Sequence, residues 1–391
     1  KEQLLNQPEF IRYWELKINT SRERFCSHKA KSYAQQYYDL LSDAVRLRLR
    51  ADVKVGSALS GGLDSSSIVY LVNQHLEAQG RKDQQETFSS VYKSEGTQDC
   101  DESEYIDLLA KELAVISNQT EPQEKDIPSE HQKVILSMEN PPDSTIMSSW
   151  YTFMKVKQLG ITVNLDGQGA DELLAGYTPY ISSYFVSISL VDLYSELFSF
   201  LKLPGVKKRV VQSFLLAHVK FFFGQQFYSK LFKKLKGHNA PSELNKTLKD
   251  SFTQSLVTLL HYADHTSMAH SVESRAPFMD YRLVEFLADV PACYKMHNGW
   301  SKYLARLAFD KKLPDEITWR KDKMGWPIPE EYWFRGSLRS WFISTAEQSH
   351  LLKELSPNVN IAKDLNGNES ITKVIRKLNV AVFEKLFMSD S

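Results

Sequence analysis

The chain has 391 residues, 42 % hydrophobic and 25 % charged, with 48 basic and 48 acidic side chains. That length suits two domains, or one domain with a large insertion, and the composition is that of a globular protein. The balanced charge gives no global field for nucleic acid or membrane. The three scattered cysteines (Cys26, Cys100, Cys293) fit neither a metal spacing nor a disulfide framework. No segment reads as a signal peptide or a membrane span, so the chain is expected to be cytoplasmic and to have no nucleic-acid partner.

Residues 1–30 are polar and aperiodic, as in a linker. Tyr33, Tyr37, Leu40, Ala44 and Leu47 then fall on one face at helical spacing. "DVKVGSAL" (52–59) reads as a buried strand, followed by a helix through Ile68, Val69, Val72 and Leu76 that ends at Gly80. "ETFSSVY" (86–92) is a second strand and "ESEYIDLLAKEL" (102–113) a second helix. "SSWYTFMKVKQLG" (148–160) is a further helix, and it leads into the strand "ITVNL" (161–165). Alternating strands and helices predict a parallel α/β sheet in residues 50–176, within a core domain spanning 31–176, with ligands beyond the carboxyl ends of its strands. After Gly176 the strand signals stop, and 177–391 reads as mainly helical, divided by prolines.

Within 202–237, nine basic residues and no acidic one lie between Glu196 and Glu243, interleaved with Phe214, Phe221, Phe222, Phe223, Phe227 and Phe232. The favoured reading is a helical pair with a basic outer face and a phenylalanine core side. A surface for an anionic partner or for lipid headgroups is the alternative.

The chemistry concentrates in "SGGLDSS". Gly61 and Gly62 let the backbone approach a phosphate, and the start of the following helix favours an anion. Ser60, Ser65 and Ser66 add hydroxyls. Asp64 would repel phosphate unless Mg²⁺ lay between them, so it predicts a metal. The loop lacks the lysine of a Walker A motif. A second loop, Asp166 to Glu172, follows "ITVNL"; as a dinucleotide fingerprint it lacks the third glycine, since Glu172 stands there. His261 and His265 have zinc-like i, i+4 spacing beside Asp264, but no third ligand is evident, and packing or hydrogen bonding is preferred.

"SGGLDSS" resembles the pyrophosphate-loop motif of the N-type ATP pyrophosphatases, and its surroundings are similar to the synthetase domain of the glutamine-hydrolysing asparagine synthetase B-type family. The resemblance extends through "YWELKI", "LDGQGADELLAGY", "HSVESRAPFMDYRLVEF", "NGWSKYLAR" and "LPDEITWRKDKMGW". It implies an α/β fold: a five-stranded parallel, doubly wound sheet with a large, mostly helical C-terminal part. It also implies ATP and Mg²⁺ as cofactors. A carboxylate would attack the α phosphorus, pyrophosphate would leave, and the adenylate would form an amide with ammonia. The aspartate side chain is the first acceptor; a uronic acid, or ring closure as in β-lactam synthetases and lasso-peptide cyclases, is the alternative.

By the same resemblance, Leu59, Ser60, Gly61, Gly62, Asp64, Ser65, Ser66, Ser90, Asp166 and Gly167 would contact ATP or pyrophosphate. Asp64 and Asp171 would hold Mg²⁺. Lys302 would face the phosphate and the acyl oxygen, with Gln168 beside the intermediate. Glu273 and Arg275 would form a structural or substrate-side ion pair near Asp280, at a helix-to-loop corner. Gln168 replaces a glutamate common in the family and cannot serve as a general base. His265 after Asp264, and Ser90 at a usually apolar position, are further departures. Glutamine-dependent relatives carry an N-terminal glutaminase domain with a cysteine nucleophile, whereas this sequence opens with Lys1. Residues 1–30 are therefore expected to be a linker from such a domain, and ammonia or a partner to supply nitrogen. A homodimer is the suggested assembly. A non-catalytic nucleotide-binding protein is the reading of a different class, opposed by the joint presence of Asp64, Asp171 and Lys302.

Overall fold

A computed structural model describes residues 10–81, 85–237, 239–321, 328–367 and 369–388. Helix α1 (Ser27–Arg48) starts inside the stretch that reads as linker, and buries Ala30, Ala34, Tyr37, Leu41, Ala44 and Val45 along one face. Then come β1 (Val55–Ala58), α2 (Leu63–Ala78), β2 (Glu86–Ser90), α3 (Ser103–Leu113) and β3 (Ile116–Thr120). They are followed by α4 (Ile127–Met138), α5 (Met147–Gln158) and β4 (Val163–Leu165). Next are α6 (Ala170–Leu174), α7 (Tyr180–Phe185), α8 (Leu190–Phe200), α9 (Lys207–Lys236), α10 (Leu244–Thr253) and α11 (Ser255–Ala269). They lead to β5 (Glu273–Arg275), α12 (Tyr281–Asp289), α13 (Ala292–Lys295), α14 (Tyr303–Phe309) and α15 (Asp315–Thr318). The chain closes with α16 (Glu330–Arg335), α17 (Arg339–Gln348), α18 (His350–Leu355), α19 (Ile361–Asn366) and α20 (Ile371–Phe387). Part of "LPDEITWRKDKMGW" (322–326) lies outside the described residues.

The five strands are all parallel, in the order β3-β2-β1-β4-β5, with Ser57 of β1 opposite both Thr87 and Leu165. From β1 the chain builds outward to β2 and β3 on one side, and to β4 and β5 on the other. The switch point of the sheet therefore lies between β1 and β4, and the loops at their carboxyl ends emerge side by side.

Two strands correct the sequence reading. β3 carries the polar sequence ISNQT, and β5, only three residues long, lies beyond Gly176 where strand signals seemed to stop. Both are edge strands, partly exposed along their length, so they need no apolar run. Glu273 and Arg275 accordingly sit on a strand and not at a helix-to-loop corner.

Behind the sheet α2 is buried from Leu63 to Val69 and shares its core with α1, α3, α12 and α14. A second core joins α4 and α5 to the C-terminal helices α16–α20, and a third joins α7–α10. In α9, Val210, Ala217, Tyr228 and Phe232 face inward. Phe221, Phe222, Phe223 and Phe227 are 52, 67, 66 and 50 % exposed, contrary to the expected phenylalanine core side. The reason is a kink at Gly224 (φ 79°, ψ 169°), which turns these rings away from the core.

A buried polar hub ties the N-terminal segment to the helical part. Asn245 Nδ2 donates to the carbonyls of Asn19 (2.7 Å), Val290 (3.0 Å) and Ala288 (3.3 Å), while Lys295 Nζ donates to Asn245 Oδ1 at 2.7 Å. Burial pushes the Lys295 ammonium from its ordinary 10.5 down to about 7. Between these values the unfolded chain binds the proton that the folded chain has released, so stability rises with pH through that window and is lowest below it. Lys295→Met is expected to flatten the rise in urea midpoint between pH 7 and pH 9; parallel slopes in the two proteins would exclude Lys295 as its source.

Candidate active site

β1 ends at Ala58, and Leu59 N still donates to Phe88 O (2.9 Å) before the chain turns. Gly61 takes φ 72° under α3, where a Cβ would lie 2.9 Å from Tyr105 Cβ and 3.3 Å from Glu102 O. Gly62 is extended and precedes the first turn of α2. Ser65 closes the turn: its Oγ accepts from Ser60 N (3.1 Å), donates to Gly62 O (3.2 Å) and lies 3.0 Å from Ser60 Oγ. Two glycines and two serines thus shape a tight loop at the positive end of a buried helix.

The loop after β4 folds around a carboxylate. Asp166 N donates to Arg275 O (3.0 Å). Asp166 Oδ2 accepts from Ser274 Oγ (2.7 Å) and Oδ1 from Gln168 N (3.0 Å). Burial pushes the Asp166 carboxyl above its usual range, with these donors partly opposing the rise. The two loops touch at Gly167, where a Cβ would lie 3.4 Å from both Asp64 Cβ and Ser65 N.

Asp64, in the first turn of α2, and Asp171, in the first turn of α6, converge on Lys302. Lys302 Nζ is 2.5 Å from Asp64 Oδ2 and also pairs with Asp171 Oδ1. Lys302 is buried and immediately precedes α14 with left-handed backbone (φ 52°, ψ 30°), a strained conformation for a side-chain-bearing residue. Gly176 makes room for the cluster: a Cβ there would fall 1.7 Å from Asp171 Oδ1 and 2.2 Å from Lys302 Cε. Glu172 turns away and accepts from Tyr177 Oη at 2.8 Å, its carboxyl pushed up by burial.

Ser60, Asp64, Ser65, Asp166, Gly167, Gln168 and Asp171 line one cavity of about 320 Å³. Its other wall is apolar, from Ile146, Leu259, Tyr262, Ala263 and Ile328. The loop 140–146 that carries Ile146 is held at several points. Thr145 N and Oγ1 both donate to buried Glu330 (2.7 Å each), and Asn379 Nδ2 donates to Pro142 O (2.6 Å) and Ser144 O (3.2 Å). Asp143 N donates to Tyr262 Oη (3.1 Å), and Asn140 Nδ2 lies 3.0 Å from His261 Nε2. His265 Nδ1 is 2.6 Å from Ser137 O of α4, so both histidines of the zinc-like pair form hydrogen bonds that join α11 to α4 and the loop after it. Lys302 opens on a second cavity of about 410 Å³, shared with Leu63, Gly176, Arg306, Arg320 and Lys321, with no carboxylate among its described lining residues.

Not every predicted residue reaches the site. Leu59, Gly61, Gly62 and Ser66 shape the turn without lining the first cavity. Ser90 faces α5 instead, its Oγ donating to Ser148 O (2.8 Å) and lying 2.9 Å from Thr152 Oγ1. Arg275 pairs with Glu273 (2.7 Å) and donates to the carbonyls of Arg48 (2.7 Å) and Arg50 (3.0 Å), bracing β5 on α1. Nearby Asp280 is pulled down to about 2, first by its hydrogen bonds from Arg282. Sequence reasoning missed Gly176 and Tyr177, although both stand in the quoted "LDGQGADELLAGY". It also missed Tyr262, Ile146 and Glu330, which no local pattern marks.

The residues present fit magnesium. Among the described residues no group of three or more His, Cys, Asp or Glu could hold an ion. Yet two carboxylates from separate loops already share one cationic centre, and Mg²⁺ characteristically takes one or two carboxylates and completes its shell with phosphate oxygens and water.

A parallel sheet with loops meeting at its switch point, one of them "SGGLDSS", defines a PP-loop-like α/β domain with a helical C-terminal part. The asparagine synthase family model matches residues 36–368, and the chain belongs to that family. It is 27 % identical over 361 residues to asparagine synthetase [glutamine-hydrolyzing] 1 of Bacillus subtilis, covering 80 % of this chain and 52 % of the relative. The corresponding synthetase 3 of B. subtilis is 26 % identical over 336 residues (82 % and 51 %). Amidase chyE of Penicillium rubens is 27 % identical over 397 residues (83 % and 56 %). The chain therefore spans about half the length of these curated relatives.

Gly176→Ala is expected to displace Asp171 or Lys302 by an ångström or more. Such a misplacement costs about 100-fold in turnover. Any turnover that depends on the Asp64–Lys302–Asp171 cluster should fall by that order while far-UV circular dichroism stays unchanged; full activity would show that the cluster tolerates the displacement.

Proposed function

We propose that the chain is the ATP- and magnesium-dependent core of an asparagine synthetase-like ligase. It adenylates a carboxylate, the aspartate side chain as first acceptor, releases pyrophosphate and joins the acyl group to ammonia. The observation that carries this reading is the convergence of Asp64 and Asp171, from the loops after β1 and β4, on one buried cation. Family membership supports an amide-forming ligase in general.

The chemistry has a simple rationale. A carboxylate cannot expel oxide when an amine attacks, but an acyl-adenylate can expel AMP. The loop 59–62 and the start of α2 would bind the anionic leaving group through backbone N–H groups and the hydroxyls of Ser60 and Ser65. Asp64 and Asp171 would hold magnesium, which when bound supplies charge neutralisation on the departing pyrophosphate. Lys302 would then give up its carboxylate partners and present its ammonium to the developing negative charge. The apolar wall of Ile146, Leu259 and Tyr262 suits a nucleobase.

Gln168 favours a second reading, the same adenylation on another acceptor such as a uronic acid or a cyclising substrate. It lines the cavity and can donate an amide hydrogen bond, but it cannot remove a proton from an attacking amine. The equal identity to a protein named as an amidase is in keeping with a broad choice of acceptor.

Supplied with aspartate, ammonium and Mg-ATP, the protein should yield AMP and pyrophosphate; ADP and phosphate would refute the loop assignment. Pyrophosphate release with other carboxylates but not with aspartate would select the second reading. Asp64→Asn should abolish adenylation with the fold intact. Lys302→Met removes one electrostatic donor, for which losses of about 100- to 1000-fold in kcat are typical.

A further inference from the structure

Exposed apolar side chains of α8 and α9 lie beside a run of basic residues on α9, while α8 itself carries the part-buried Asp192, paired with Arg24, and the buried Glu196. Between Glu196 and Glu243 stand eight lysines and one arginine with no acidic residue, in a chain whose formal net charge is zero. The helix is kinked at Gly224, and every residue from 221 to 227 is exposed. Four of them are the phenylalanines already described, and Val191 (69 %), Phe198 (66 %) and Leu215 (58 %) extend the apolar area across both helices. Exposed hydrophobic residues are ordinary when single, whereas a contiguous patch marks an interaction surface. Lys207, Lys208 and Arg209 on one arm, and Lys230, Lys233 and Lys234 on the other, flank the aromatic knuckle and are exposed. Beside Phe221 a cavity of about 600 Å³ enters between apolar side chains such as Phe185 and Leu193, with Arg22, Lys220 and Lys246 at its margin against a single carboxylate, Glu243. Lys220 and Arg22 each lie 3.6 Å from Glu243, which leaves the margin net positive.

We propose that this kinked face docks the protein on a bilayer bearing anionic lipids. Phe221, Phe222, Phe223 and Phe227 enter the boundary between headgroups and acyl chains, and the flanking lysines lie among the headgroups. Apolar residues on one face and lysines beside them are what an interfacial helix needs, and each basic residue near an anionic leaflet adds to its affinity. No described helix is long and apolar enough to cross a membrane, so the association is peripheral.

Two other occupants fit less well. A two-fold symmetric dimer through this face would set its exposed basic residues, among them Lys207, Lys208, Arg209, Lys230, Lys233 and Lys234, against the same residues of a second copy. A single-stranded nucleic acid needs aromatic faces free for successive bases. Here neighbouring rings are tilted against one another, by 80° for Phe221–Phe222 and 37° for Phe223–Phe227, and do not stand in a parallel row.

Co-sedimentation of the full chain with vesicles tests the proposal, comparing phosphatidylcholine alone with a mixture containing phosphatidylglycerol. Binding to the mixed vesicles should be at least several-fold stronger and should weaken in high salt. Phe222→Ser with Phe223→Ser should abolish it. Lys230→Glu with Lys233→Glu should lower the partition coefficient roughly tenfold or more. Both variants should keep the wild-type melting temperature and wild-type pyrophosphate release, so a loss of binding cannot be read as misfolding. Equal binding to the two vesicle types, or none, overturns the proposal. So does retention on single-stranded RNA without vesicle binding, or a dimer in sedimentation that only the phenylalanine variant dissociates.

Discussion

A single ammonium between two carboxylates organises this molecule. Lys302 Nζ, Asp64 and Asp171 come from the start of α14, α2 and α6, and they meet where little water reaches. Charges withdrawn from solvent are tolerable only when paired, and deleting one partner strands the others. The cluster therefore dictates much around it. The loops after β1 and β4 must emerge side by side, which the strand order ensures. Position 176 must lack a side chain, and Lys302 must adopt a backbone conformation unfavourable to it. Three constraints scattered over the sequence serve one contact.

Around that contact the molecule separates two tasks. Groups that would handle phosphate lie on strand-end loops backed by α2, whose first seven residues are all buried, which leaves little freedom for variation. Groups that shape the remainder of the cavity come from 140–146 and α11, which rest on the C-terminal helices through Glu330 and Asn379. Burial pushes the Glu330 carboxyl up, but it keeps two donors from Thr145 and stays satisfied. The histidines at 261 and 265 belong to this support.

What the sequence disclosed follows the range of each signal. The Gly-rich turn, its strand, the helix behind it, and β2 and β4 are written in contiguous residues with strong apolar or conformational preferences. β3 and β5 lie at the sheet edges, where polar residues are stable, so composition hid them. The phenylalanines near Gly224 look like core residues by type, and only a left-handed glycine in mid-helix reveals that they point outward. Ser90 is a strand-end hydroxyl like its neighbours, and its turn toward α5 depends on Ser148 and Thr152. Lys302 is 238 residues from Asp64, and Thr145 is 185 from Glu330; no window on the sequence spans such pairs. The first was reached through resemblance, and the second was not reached at all.

The suspended loop at 140–146 has an evolutionary consequence. Its anchors lie late in the chain, remote from "SGGLDSS", so mutations in α16 or α20 can reshape the apolar wall of the cavity while leaving the Gly-rich turn untouched. A lineage could thereby retune what rests against that wall and inherit the charged cluster unchanged. Diversification would be expected to accumulate in the terminal helical layer, with the strand tips as the conserved hinge of the design.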